Sequence, residues 1–154
     1  MQNSLILFSA VLISFFIFNS CEQDGTCGDS NISQQGGDDS HNMGQNCMSC
    51  HTAGGKGEGC FKVAGTVYNS AGSTTVTSGT IKLYTGPNGT GTLLTNIEID
   101  SKGNFYTTND VNFTAGVYPG VVSSSGATNF MGSSISVGTC NNCHGVSTAK
   151  ILAP

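Results

Sequence analysis

Apolar and polar residues alternate with a period of two through the middle of the chain, the pattern of β-strands that bury one face. Val63, Gly65 and Val67 interleave with Ala64, Thr66 and Tyr68. Asn69-Ser70-Ala71-Gly72 reads as a turn, Thr80–Tyr84 as a second strand and Gly86-Pro87-Asn88-Gly89 as another turn. Leu93–Ile99 predicts a third strand, and Ser101-Lys102-Gly103-Asn104 turns the chain into Phe105–Thr108. Gly116–Val122 and Thr128–Met131 follow, with Ser134–Val137 either continuing or replacing the latter. The prediction is mainly β: an antiparallel β-sandwich of six or seven strands over residues 61–137, flanked by two segments of different character. Its core is expected from Val63, Val67, Ile81, Leu83, Ile97, Ile99, Phe105 and Tyr118.

Before the sandwich the pattern changes twice. Leu5–Phe18 is an apolar run too short for the roughly 20 residues that cross a bilayer and of the length of a signal-peptide core. Ser20 before Cys21 resembles a bacterial lipobox, which implies acylation of Cys21 and anchoring to a membrane. A plain signal peptide cleaved nearby is the alternative, because residues 1–4 carry no Lys or Arg and Phe18 stands where Leu is commonest. Both readings assign 1–20 as signal peptide and export the protein to the periplasm or the cell surface. Residues 21–40 are polar and Gly-rich, without apolar periodicity, and predict a tether.

Composition narrows the class. Gly, Ser, Thr and Asn make up close to half of the 154 residues, which excludes a coiled coil or helical bundle. Five Lys+Arg against nine Asp+Glu leave no basic surface for nucleic acid. Hydrophobic residues are only 37%, and Phe8, Phe15, Phe16 and Phe18 lie in the leader, so something besides side chains is expected to fill the core.

Val63-x-Gly65-x-Val67-Tyr68, Gly79-x-Ile81-x-Leu83-Tyr84, Gly103-Asn104-Phe105 and Gly116-x-Tyr118 together resemble the carboxypeptidase regulatory-like domain. The resemblance covers about residues 61–123 and implies a transthyretin-like sandwich; it carries no chemistry.

The chemistry lies in two copies of Cys-x-x-Cys-His: Cys47-Met48-Ser49-Cys50-His51 in segment 41–60, and Cys140-Asn141-Asn142-Cys143-His144 in segment 138–154. Two thiols on one turn can form thioethers to both vinyl groups of one porphyrin, and the following imidazole then meets the iron from the same side. The sequence thereby resembles a small dihaem cytochrome c, which implies two haem c groups held by Cys47, Cys50, Cys140 and Cys143, with His51 and His144 as iron ligands. Three competing readings fit less well: a thioredoxin-type pair lacks a βαβ setting, a zinc site would join pairs about ninety residues apart, and local disulfides leave both histidines unexplained.

Two further cysteines, Cys27 and Cys60, can close a disulfide around the first motif; free or otherwise paired thiols are the alternative. Of the four axial positions, two remain. His41 is the one further imidazole and is assigned as a distal ligand, a surface histidine being the alternative; the other position falls to Met131 or Met43, another group, water or a ligand from a second molecule. No acid–base set accompanies the motifs, so an enzyme is not expected. Electron transfer is the leading function, with redox proteins or copies of the chain as partners. A small-ligand sensor with an open second haem and a cell-surface β-domain stabilised by haem are the alternatives. Strand parity bears on the partner: an odd count places the motifs at opposite poles, as a head-to-tail conducting chain requires, and an even count at one end.

Overall fold

A computed structural model describes residues 27–154. The signal-peptide run and Cys21 lie outside the described residues. Eight strands build two sheets: β1 (Val63–Tyr68), β2 (Thr80–Tyr84), β3 (Leu93–Glu98), β4 (Asn104–Thr107), β5 (Tyr118–Val122), β6 (Thr128–Phe130), β7 (Gly138–Thr139) and β8 (Ile151–Leu152). One sheet runs β4-β1-β7, with β8 also paired to β1; the other runs β3-β2-β5-β6. The expected mainly-β sandwich is the fold. Antiparallel pairing dominates, while β7 and β8 lie parallel to β1.

The core follows the period of two. Val63 and Val67 from β1, Ile81 and Leu83 from β2, Ile97 and Ile99, and Phe105 from β4 pack together fully buried. Tyr118 does not join them; it is half-buried, and its neighbour Val117 and Val121 take the place expected for it. The register puts Val117 on the inner face because its backbone pairs with Ile135, through the segment that reads as a possible seventh strand.

Two sequence boundaries shift. Residues 30–40 are not a free tether. Ile32 bridges Thr107, the Ser33 amide donates to the Tyr106 carbonyl, and Ser33 and Ser40 are buried, so this polar stretch covers the exposed edge of β4. Its hydrogen bonds are backbone-directed and leave no apolar period to read. The sandwich also extends past residue 137, because β7 and β8 from the second cysteine segment complete the first sheet.

A disulfide joins Cys27 to Cys60 and encloses His41 and the whole first motif. A cross-link 33 residues apart restricts the unfolded chain by about 4 kcal/mol. Replacing both cysteines by Ala is expected to lower the thermal midpoint by roughly 10 °C, read by circular dichroism; an unchanged midpoint would show that the loop is ordered without it.

Candidate functional site

β1 is buried on both faces, which a strand of a two-layer sandwich need not be. Val63 and Val67 face the core, and Ala64 and Thr66, on the other face, are 3% and 1% exposed. The cover on that outer face comes from both cysteine motifs. Each motif folds into the same 3-10 turn, Cys47–Ser49 and Cys140–Asn142. In each, the histidine amide then donates to the carbonyl of the first cysteine, His51 to Cys47 and His144 to Cys140, both at 3.0 Å.

The turns meet on β1 at Gly65 and Thr66. A Cβ on Gly65 would lie 2.6 Å from the Phe105 ring and 2.9 Å from Cys140 Cβ, so only glycine lets the second turn sit there. On the opposite face, the Thr66 amide donates to Asn141 Oδ1, and Asn141 Nδ2 donates to the Gln45 carbonyl, two residues before Cys47. The motifs are therefore neighbours. They do not occupy opposite poles, because β7 runs parallel to β1 and returns the chain to Val63.

Both histidines are set the same way. His51 Nδ1 lies 2.8 Å from the Glu58 carbonyl and His144 Nδ1 lies 2.7 Å from the Ala149 carbonyl. A carbonyl only accepts, so Nδ1 carries a proton in each ring, and Nε2 is the nitrogen turned away from the backbone. This is how metal-ligating histidines are oriented and made more basic. The His51 ring is further clamped by stacking on Phe61, centroids 4.1 Å apart, and Phe61 stacks on Tyr106 at 4.8 Å.

His41 faces His51 with ring centroids 6.0 Å apart and planes tilted by 34°. Two imidazoles bonded to opposite sides of one metal at about 2.0 Å have centroids about 6 Å apart. Both rings line a cavity of about 1170 Å³ on the outer face of the first sheet, together with Cys47, Cys50 and many polar groups, Asn31, Asp39, Asn42 and Glu58 among them.

The second motif opens on a different cavity, of about 540 Å³, at the mouth between the two sheets. Cys140, Cys143 and His144 line it with Leu83, Phe105, Val121, Phe130, Ile135 and Ile151. Met131 is also on this wall, half-buried, whereas Met43 lines neither cavity and is 46% exposed.

The first cysteine of each motif is the more enclosed. Burial pushes the Cys47 thiol up, with a smaller contribution from the charge of Asp100. Burial raises Cys140 to about 12, with the nearby Cys47 adding to the effect. Cys50 and Cys143 are exposed. Among the described residues, no three His, Cys, Asp or Glu side chains converge to hold a metal ion by themselves, as a four-cysteine zinc site requires.

Several residues of these sites have no signature in the sequence. Glu58 and Ala149 act through backbone carbonyls, which any residue supplies. Thr66, Asn104 and Asn141 look like ordinary polar positions of a Thr- and Asn-rich chain, and their burial comes only from the packing of both motifs on β1. Phe61, directly after Cys60, was the one visible signal: an aromatic between the motif and the first strand. Comparison with protein-family models, with curated proteins and with solved structures finds no match to this chain.

Proposed function

We propose that this is an extracytoplasmic, non-enzymatic electron-transfer protein that carries two covalent c-type haems. The observation that carries the reading is the pair of imidazoles facing each other at 6.0 Å beside the thiols of the first motif. Cys47 and Cys50 would hold the first haem, with His51 and His41 as the imidazoles available to its iron. Cys140 and Cys143 would hold the second, with His144 and Met131, the thioether on the cavity wall, as the residues available to its iron. Each haem supplies a reversible one-electron iron couple. The protein holds the proximal rings through the Glu58 and Ala149 carbonyls and excludes water from the second site with an aliphatic wall. Raised thiol pKa values argue against a reactive redox pair, whose nucleophilic cysteine needs a lowered one.

Adjacent attachment turns favour a carrier that passes electrons between its own two haems over a short path, then to redox proteins or to other copies. The geometry offers no ground for a head-to-tail chain through opposite poles. The Cys27–Cys60 disulfide fits export to an oxidising compartment, periplasmic or at the cell surface, with Cys21 as the lipid anchor. The sandwich, like the carboxypeptidase regulatory-like domains that its middle segment resembles, serves as scaffold.

Mass spectrometry of the mature protein is expected to show two haem additions. Replacing His51 or His144 by Ala is expected to alter the visible spectrum of one haem each. A mass without haem would end the reading, and a high-spin second haem that binds CO in the wild type would favour the sensor.

A further inference from the structure

One polar network joins the two motifs through the buried side chains of Ser40, Thr66, Asn104 and Asn141; Thr66 and Asn104 are cross-strand partners of β1 and β4, outside the apolar core. Thr66 is its centre. Its hydroxyl donates to Asn104 Oδ1 at 2.6 Å and accepts from the Gly44 amide at 2.8 Å and from Asn141 Nδ2 at 3.0 Å. One donor and two acceptor positions are all that a hydroxyl has, so it is saturated. Both side-chain donors of Asn104 are used as well: Nδ2 donates to Ser40 Oγ at 2.9 Å and to the His41 carbonyl at 3.2 Å. Lys102 Nζ adds a bond to the Ser40 carbonyl at 2.8 Å.

The consequence is directional. The His41 ring is exposed, with no side-chain partner to fix it, and the loop from Ser40 to Gln45 is pinned only from beneath. The pins are Asn104 on Ser40 and His41, Lys102 on Ser40, Thr66 on Gly44, and Asn141 on Gln45. The last of these belongs to the other motif. Resting on the two-haem reading above, we infer that Thr66 and Asn104 are positioning residues that keep His41 opposite His51, and that Asn141 makes this hold depend on the second motif. A buried network that is fully paired is rigid, and one missing member leaves several groups unpaired at once.

The test compares Thr66→Val with Thr66→Ser in the haem-loaded protein. Val keeps the shape and removes the hydroxyl; Ser keeps the hydroxyl. Thr66→Val is expected to free His41 from the first haem, raising the fraction of that haem that binds CO by roughly tenfold or more, with loss of its low-spin electron paramagnetic resonance signal. Thr66→Ser is expected to behave as the wild type in both readouts. Asn104→Ala repeats the test from the other side of the hydroxyl. Wild-type CO binding in Thr66→Val and Asn104→Ala would overturn the positioning role. Should both variants fail to fold, the Gly44 amide of the wild type decides: slow hydrogen exchange is expected, and exchange at the rate of an open loop removes the network. A wild type with no haem mass fails the two-haem reading itself, whatever the Gly44 amide does, so the two failures remain distinct.

Discussion

Replacing Cys140 and Cys143 together by Ala is expected to cost the protein much more stability than replacing Cys47 and Cys50. The second cavity is walled by side chains from both sheets, Ile81 and Leu83 on β2, Phe105 on β4 and Ile151 on β8, and it opens between them. Phe130, Met131, Ile135 and Ile151 are only half-buried there, and Val137 is 60% exposed. A haem bound in this mouth would cover aliphatic surface. Uncovering roughly 150 Å² of it costs about 4 kcal/mol at about 25 cal/mol per Å². For a domain of this size, that lowers the thermal midpoint by about 10 °C or more. The first cavity lies outside the sheet, and much of its lining is Asn, Gln, Ser and charged groups. Burying those polar groups under a haem offsets the apolar gain, so emptying this site costs less. The disulfide also holds the segment without it. Melting curves of the two double variants, followed by near-ultraviolet circular dichroism against the haem-loaded wild type, check the asymmetry. Equal losses would show that the second haem is not part of the sandwich's packing.

This asymmetry explains why part of the fold was legible in the sequence and part was not. The strands of the middle segment read correctly because each has one apolar face, as Ile81 and Leu83 or Ile97 and Ile99 show. The low hydrophobic content matches a small core of closely buried side chains, with an apolar cavity beside it at the mouth between the sheets. Two features escaped. Thr66 alternates with core valines as a solvent-facing residue would, yet it is buried beneath two loops from distant parts of the chain. Periodicity reports which residues share a face and is silent on what covers that face. Strand parity left the placement of the motifs open between one end and opposite poles, because it cannot show that β7 is laid parallel to β1 and brings Cys140 beside Gly65. The two Cys-x-x-Cys-His motifs are legible for a local reason, since each occupies a single 3-10 turn of chain.

The two haems are expected to titrate as separate waves, with the second at the higher potential by a difference on the order of 100 mV or more. Two properties of the sites push in the same direction. The first iron would take two imidazoles, and its cavity presents dipoles and the carboxylates of Asp39 and Glu58, with Lys56 as the one cation on the wall. Such surroundings favour the more positively charged oxidised iron and lower the potential. The second iron would take His144 and the weaker donor Met131 inside an apolar wall, which disfavours the added charge and raises it. Electrons entering at the first haem would then run downhill to the second through the contact that Asn141 makes with Gln45. A spectroelectrochemical titration separates the waves, and variants assign them. Met131→Ala should lower the upper wave, open the second haem to CO and abolish the near-infrared band of a thioether-ligated ferric haem. His41→Ala should raise the lower wave and leave the upper one in place. Coincident waves in the wild type, or an upper wave that moves with His41 and ignores Met131, would reverse the assignment and with it the direction of flow.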